Sequence, residues 1–170
     1  MINNFPNCLA VTLKQEGGYS NNPHDPGGAT MRGVTQAVYN AYRRALGLPG
    51  QTVRLISDSE LQDIYRRQYW EAIRGDLLPK GLDMAVFDMA VNSGVVPAIK
   101  ILQKALGVPA DGHFGLITQG ALPKNGGEAA ARFCKLRLSF LEQLREWKFF
   151  DVDWKRRVTT IAVAAQAMAR

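Results

Sequence analysis

The sequence predicts an all-α or mainly α protein, with a small β-hairpin as the only candidate for strand. Three observations carry this. Apolar residues recur at helical spacing along most of the chain, while strand-like alternation is hard to find. Caps and stops punctuate that pattern at intervals suited to ordinary helices. One stretch, residues 17–34, is too rich in glycine, proline and asparagine for regular helix.

A first helix is predicted over residues 6–15: Pro6 suits its first turn, Leu9 and Leu13 share a face with Cys8 and Thr12, and Gly17-Gly18 stops it. The loop that follows has room for a short hairpin. A second helix begins near Thr35 as cap and ends at Gly47. The third opens on the capping box Ser57-Asp58-Ser59-Glu60, with Leu61, Ile64, Tyr65 and Gln68 at helical spacing. The fourth, from Leu82 to Gly94, is apolar on nearly all sides and so predicted to be central. Pro97 opens a fifth that ends at Gly107. After Asp111-Gly112-His113-Phe114-Gly115, a threonine-capped helix is expected, then helices over 128–149 and 154–169. Cys8 and Cys134 lie among apolar neighbours without CxxC spacing, and read as small buried hydrophobes.

The 170 residues suffice for one core, or one core plus a small satellite. No apolar run reaches the roughly 18–20 residues of a membrane span. The first seven residues lack a basic region and an apolar core, so no secretory signal is visible. Net charge is +6, unevenly placed: residues 1–90 hold nine basic and nine acidic side chains, residues 91–170 twelve and six. A basic second half fits an anionic polymer, or simply a solvated surface.

Glu16 sits where the first helix ends, against the negative pole of the helix, which disfavours an anion by a few tenths of a kcal/mol and suits a proton donor. Asp25 follows on a loop able to fold back over the helix end. Glycoside hydrolysis needs such a pair, one acid for the leaving oxygen and one carboxylate for water or the oxocarbenium-like transition state. Thr30 adds a hydroxyl to hold that water. By spacing alone the pair is weak evidence, and Glu16 as a cap or a partner of Arg32 is the plainer alternative. His24 and His113 are the only histidines and no HExxH spacing occurs, so neither metal nor cofactor is expected. Trp70, Trp147 and Trp154 are candidates for sugar stacking or for packing.

The string Glu16-Gly17-Gly18-Tyr19 through Asp25-Pro26-Gly27-Gly28-Ala29-Thr30, with Arg32-Gly33-Val34-Thr35, closely resembles the EGGY…DPGGxT…G(I/V)T signature of glycoside hydrolase family 108. These are lysozyme-superfamily N-acetylmuramidases, found as phage endolysins and secretion-activator proteins. The resemblance implies Glu16 as catalytic acid, Asp25 as second carboxylate and Thr30 as helper, with Tyr19, Arg32 and Asn92 as substrate contacts. Phage-type lysozymes have five residues between Asp and Thr; here there are four, which leaves Thr35 as a fallback. Phe87 through Gly94 is similar to the family's central helix, with Asp88 and Asn92 on the glycan cleft. Leu102 through Thr118 resembles the LQxxLGVxxDGxxGxxT core of helical peptidoglycan-binding modules, with Leu116 where many have proline.

The implied organisation is a lysozyme-like domain over 1–94 and a helical peptidoglycan-binding domain over 95–170 packed on it. The implied activity is cleavage of the β-1,4 bond between N-acetylmuramic acid and N-acetylglucosamine. Bacterial peptidoglycan is the expected partner, with a holin or other system releasing a protein made in the cytoplasm to the periplasm or wall. Nucleic acid and stable membrane insertion are not expected. A chitinase-like glycosidase and a non-catalytic wall-binding protein remain the alternatives.

Overall fold

The computed structural model describes residues 4–21 and 28–170. The fold is mainly α: among the described residues there are eight α-helices and a three-stranded antiparallel sheet of two-residue strands. Helix α1 (Phe5–Leu13) ends two residues before the predicted last helical residue, Gln15, and turn-type hydrogen bonds carry the chain on to Glu16. The expected hairpin is a three-stranded sheet: β1 (Tyr19–Ser20), β2 (Thr30–Met31) and β3 (Val34–Thr35), with Ser20 opposite Thr30 and Thr30 opposite Thr35. Arg32 (φ 47°) and Gly33 (φ 81°) make the turn between β2 and β3, both at the positive φ that tight hairpins favour.

Helix α2 (Gln36–Ala45) is capped by Thr35, whose hydroxyl accepts from the Val38 N–H at 3.3 Å. Helix α3 (Asp58–Tyr65) opens on the Ser57/Glu60 capping box. Glu60 also accepts from the Tyr39 hydroxyl at 2.8 Å and pairs with Arg43, so the cap of α3 doubles as its clamp on α2. A π-helical stretch, Arg66–Trp70, extends α3 and turns Trp70 into the core. There Phe5, Trp70 and Phe87 meet edge to face with centroids 5.4–5.8 Å apart.

Helix α4 (Leu82–Ser93) is central, as its composition predicts, with every residue from Leu82 to Ala90 buried. Helix α5 (Val95–Leu106) starts two residues before Pro97 and ends at Gly107 in the left-handed conformation. The short α6 (Leu116–Gly120) lacks the expected threonine cap. Thr118 is buried instead, its hydroxyl accepting from Gln103 Nε2 at 3.0 Å, while Gln103 also binds Asp111 and the Gly112 N–H. That glutamine is what fixes the Asp111-Gly112 turn. Helices α7 (Gly127–Leu141) and α8 (Trp147–Met168) divide earlier than predicted, because the chain turns at 142–146 and α8 then runs unbroken through residues 150–153.

The two halves of the chain share one hydrophobic core, in which α4 packs against α5, α7 and α8. They also meet backbone to backbone: a Cβ at Gly126 would strike the Lys80 carbonyl, and one at Gly81 (φ 86°) would lie 2.5 Å from the Ala165 carbonyl. Cys8 and Cys134 are free and buried. Among the described residues no helix is long and apolar enough to cross a membrane.

Candidate active site

The end of α1, the β2–β3 turn, the α3 extension and α8 converge on the Glu16 carboxylate. The turn following Leu13 brings the Glu16 N–H to the Leu13 carbonyl at 3.3 Å and carries the side chain toward α8. There Arg157 Nη2 donates to Glu16 Oε1 at 2.8 Å. The carboxylate keeps 19% exposure, so it is held without being sealed. On the other side, a Cβ built on Gly33 would lie 3.2 Å from Glu16 Oε2 and would overlap the Tyr65 hydroxyl. Glycine at this turn therefore leaves room for both groups. The Tyr65 hydroxyl donates to the Arg32 carbonyl at 2.8 Å, fixing the turn from beneath.

Burial pushes the Tyr65 phenol up from its ordinary range, and the negative Glu16 adds to the shift; Tyr69 responds in the same way. Both phenols therefore stay protonated at physiological pH.

Arg157 is itself positioned. Its Nε and Nη2 reach Asp88 at 3.0–3.3 Å, and Arg137 Nη1 completes the pairing at 2.8 Å from Asp88 Oδ2. Asp88 and Arg137 are fully buried. Burial alone would raise the Asp88 carboxyl, but the two guanidiniums overcome it and hold Asp88 below the usual carboxylate range. Arg137 Nη2 goes on to donate to Asn92 Oδ1 at 3.2 Å. A continuous polar chain thus runs Glu16–Arg157–Asp88–Arg137–Asn92, from a partly open carboxylate through the core to the half-buried end of α4. Expecting Asp88 on the cleft is incorrect: a carboxylate on a helix buried all round needs cations, and two arginines supply them.

The other predicted residues are placed as follows. Asp25 and His24 lie outside the described residues. Thr30 stands in β2, its hydroxyl donating to the Gly28 carbonyl at 3.2 Å, flanked by Ser20 and Thr35 across the sheet. The Thr35 hydroxyl is engaged as the α2 cap. Tyr19 is exposed, with the Arg54 guanidinium 5.2 Å from its ring centroid. Arg32 pairs with Asp58 rather than with Glu16. Asn92 is half-buried at the end of α4, bound to Arg137 and Ser93. Trp70 belongs to the core at 1% exposure, which rules it out for sugar stacking. Among the described residues, no three His, Cys, Asp or Glu side chains cluster to hold a metal.

Sequence reasoning missed Arg157, Arg137, Tyr65 and Tyr69. Arg157 had a signal: it falls on the inward face of α8, between Trp154 and the buried Val158, Ile161 and Ala165. Arg137 is likewise between the buried Cys134 and Leu141 of α7.

Residues 9–94 match the family model for glycosyl hydrolase 108. The chain belongs to glycosyl hydrolase family 108. It is a glycoside hydrolase with a lysozyme-like, mainly α fold. Among solved structures it is similar to one described as Brucella abortus SagA, at 36% identity and a TM-score of 0.83, covering 98% of this chain and 95% of the other. No curated protein matches it in sequence. The segment that matches the family 108 model ends at Gly94, so the arginines that hold Glu16 and Asp88 come from outside it.

Proposed function

We propose that the chain is a peptidoglycan hydrolase, an N-acetylmuramidase cutting the β-1,4 bond between N-acetylmuramic acid and N-acetylglucosamine. The observation that carries this is Glu16: a partly open carboxylate of a family 108 motif, anchored at Oε1 by Arg157. In this reading Glu16 delivers its proton to the glycosidic oxygen as the bond from the anomeric carbon to that oxygen breaks. Asp25 stabilises the oxocarbenium-like transition state or orients the water that adds to the anomeric carbon, and Thr30 helps to hold that water. Tyr19, Arg32 and Asn92 are the proposed substrate contacts; Arg32 would release Asp58 to serve. Residues 95–170 would hold the enzyme on the wall as a binding domain, the net positive charge of the second half favouring an anionic polymer. A phage or prophage endolysin, released to the periplasm by a holin or similar system, is the context this reading fits.

Purified peptidoglycan incubated with the protein is expected to clear and to release fragments with reducing-end N-acetylmuramic acid, identified by mass spectrometry. Glu16→Gln should fold normally and lose about 10²–10⁴-fold in rate, the usual contribution of a general acid. Reducing-end N-acetylglucosamine instead, or faster turnover of chitin, would overturn the proposed bond. Full activity in Glu16→Gln would overturn the acid.

A further inference from the structure

The start of α8 carries aromatic surface that cleavage at Glu16 does not use. Phe149 is 70% exposed and Phe150 48%, while Trp147 and Trp154 lie half-buried against the core. Phe150 stacks on Trp154 with centroids 5.7 Å apart and planes at 28°, and Trp147 adds a tilted contact to Trp154 at 6.1 Å. Rings at that separation are offset, so neither ring fully covers the other. An exposed aromatic cluster of this kind marks a binding surface more often than an isolated exposed ring does.

Helical geometry fixes where this surface leads. Phe150, Trp154 and Arg157 are spaced four and three residues apart, so they share one side of α8. Phe150 precedes Arg157 by two turns, about 10 Å along the axis. Arg157 reaches Glu16 from that same side. Phe149 lies about 100° round the helix from Phe150, away from this row.

We infer that Phe150 and Trp154 form a stacking platform for pyranose rings of a glycan strand, placed two turns along α8 from the acid. The inference rests on the reading that Glu16 cuts a glycan. A pyranose presents C–H bonds with partial positive charge on its face, complementary to the negative face of an aromatic ring, while its hydroxyl and acetamido groups stay wet at the rim. A strand lying along α8 would stack on Phe150 and Trp154 while a glycosidic bond further along it rests at Glu16. Continuity with Glu16 through Arg157 favours a glycan over a membrane or a protein partner. Either of those would use the outward Phe149 and Val152, which are 70% and 68% exposed.

The test uses the full chain carrying Glu16→Gln, titrated with peptide-free glycan strands prepared from peptidoglycan and read by calorimetry. Phe150→Ala is expected to weaken binding roughly 3- to 10-fold, the range of one aromatic contact, and Trp154→Phe to quench less tryptophan fluorescence on binding than the parent. Phe149→Ala should bind like the parent. Thermal melting of each variant separates a lost contact from a damaged helix, and Phe150→Ala, being half exposed, is expected to melt normally. Unchanged binding in a well-folded Phe150→Ala, or an equal loss in Phe149→Ala, overturns the platform. In the unsubstituted enzyme, cleavage without Phe150-dependent binding defeats the platform alone. Phe150-dependent binding without cleavage defeats the hydrolase reading alone.

Discussion

Arg157 holds Glu16 Oε1 at 2.8 Å although 141 residues separate the two in sequence. The same nitrogen lies 3.0 Å from Asp88 Oδ1, so it ties the partly open carboxylate to a buried one. Glu16 is aimed by a group on the last helix of the chain.

That relationship predicts a positioning role for Arg157. Arg157→Met should lower kcat by about 10- to 100-fold with KM little changed, because misplacing a reacting group by about 1 Å is enough for such a loss. Arg157→Lys keeps the charge but not the guanidinium fork, and should recover part of the rate. Steady-state kinetics on solubilised peptidoglycan separates the cases. A rise in KM at constant kcat, or no rescue by lysine, would place Arg157 in structural support only.

Gly33 predicts a second effect, on geometry rather than charge. Alanine there would meet the left-handed φ of 81°, a strain of roughly 1–2 kcal/mol, and its methyl group would collide with the Tyr65 hydroxyl and crowd Glu16 Oε2. The hydroxyl would lose its bond to the Arg32 carbonyl, and the turn would shift away from Glu16. Gly33→Ala is therefore expected to lose more activity than its modest drop in melting temperature explains. Wild-type rates in this variant would show that the turn does not set the position of Glu16.

Asp88 predicts a pH effect on stability. Its carboxyl is held below the usual range in the folded protein, so its contribution is fully present above the unfolded value of about 3.9 and fades as pH falls through the lower folded value. Asp88→Asn leaves two buried guanidiniums without their anion and should cost about 3–5 kcal/mol near pH 7. The gap from the wild type should begin to narrow below about pH 4, where the unfolded wild-type carboxyl takes up a proton that the folded one still excludes. Urea midpoints at pH 7 and pH 3 measure both. A gap independent of pH would mean that charge pairing is not what Asp88 provides.

What could be read in the sequence follows from where the forces are local. The Ser57/Glu60 capping box, the Thr35 cap, the largely apolar α4 and the Gly107 stop each depend on neighbours within a few residues, and all form. The family was legible because its motif, from Glu16 to Thr35, is contiguous. Thr118 was misread as a cap because its hydroxyl serves Gln103, fifteen residues away. The break at 142–146 escaped notice because no glycine or proline marks it. Asp88 was assigned to the cleft because nothing near it in sequence names its partners. Arg137 and Arg157 lie 49 and 69 residues on, found only once α4, α7 and α8 are packed together.

That packing predicts the behaviour of the first half alone. A chain cut after Gly94 would strip α5, α7 and α8 from α4, exposing apolar residues on a helix buried over nine consecutive positions. It would also remove Arg137 and Arg157, leaving Asp88 uncompensated and Glu16 unanchored. Covering the lost surface with water costs about 25 cal/mol per Å² of apolar area, which several newly exposed side chains would raise to the scale of a small domain's whole stability. Residues 1–94 are therefore expected to melt without cooperativity, to bind a hydrophobic dye and to leave peptidoglycan uncut. Circular dichroism melting and the clearing assay read this directly. A cooperative melt together with cleavage by the fragment would show that the segment matching the family 108 model is self-sufficient, and that the arginines of α7 and α8 are dispensable to Glu16.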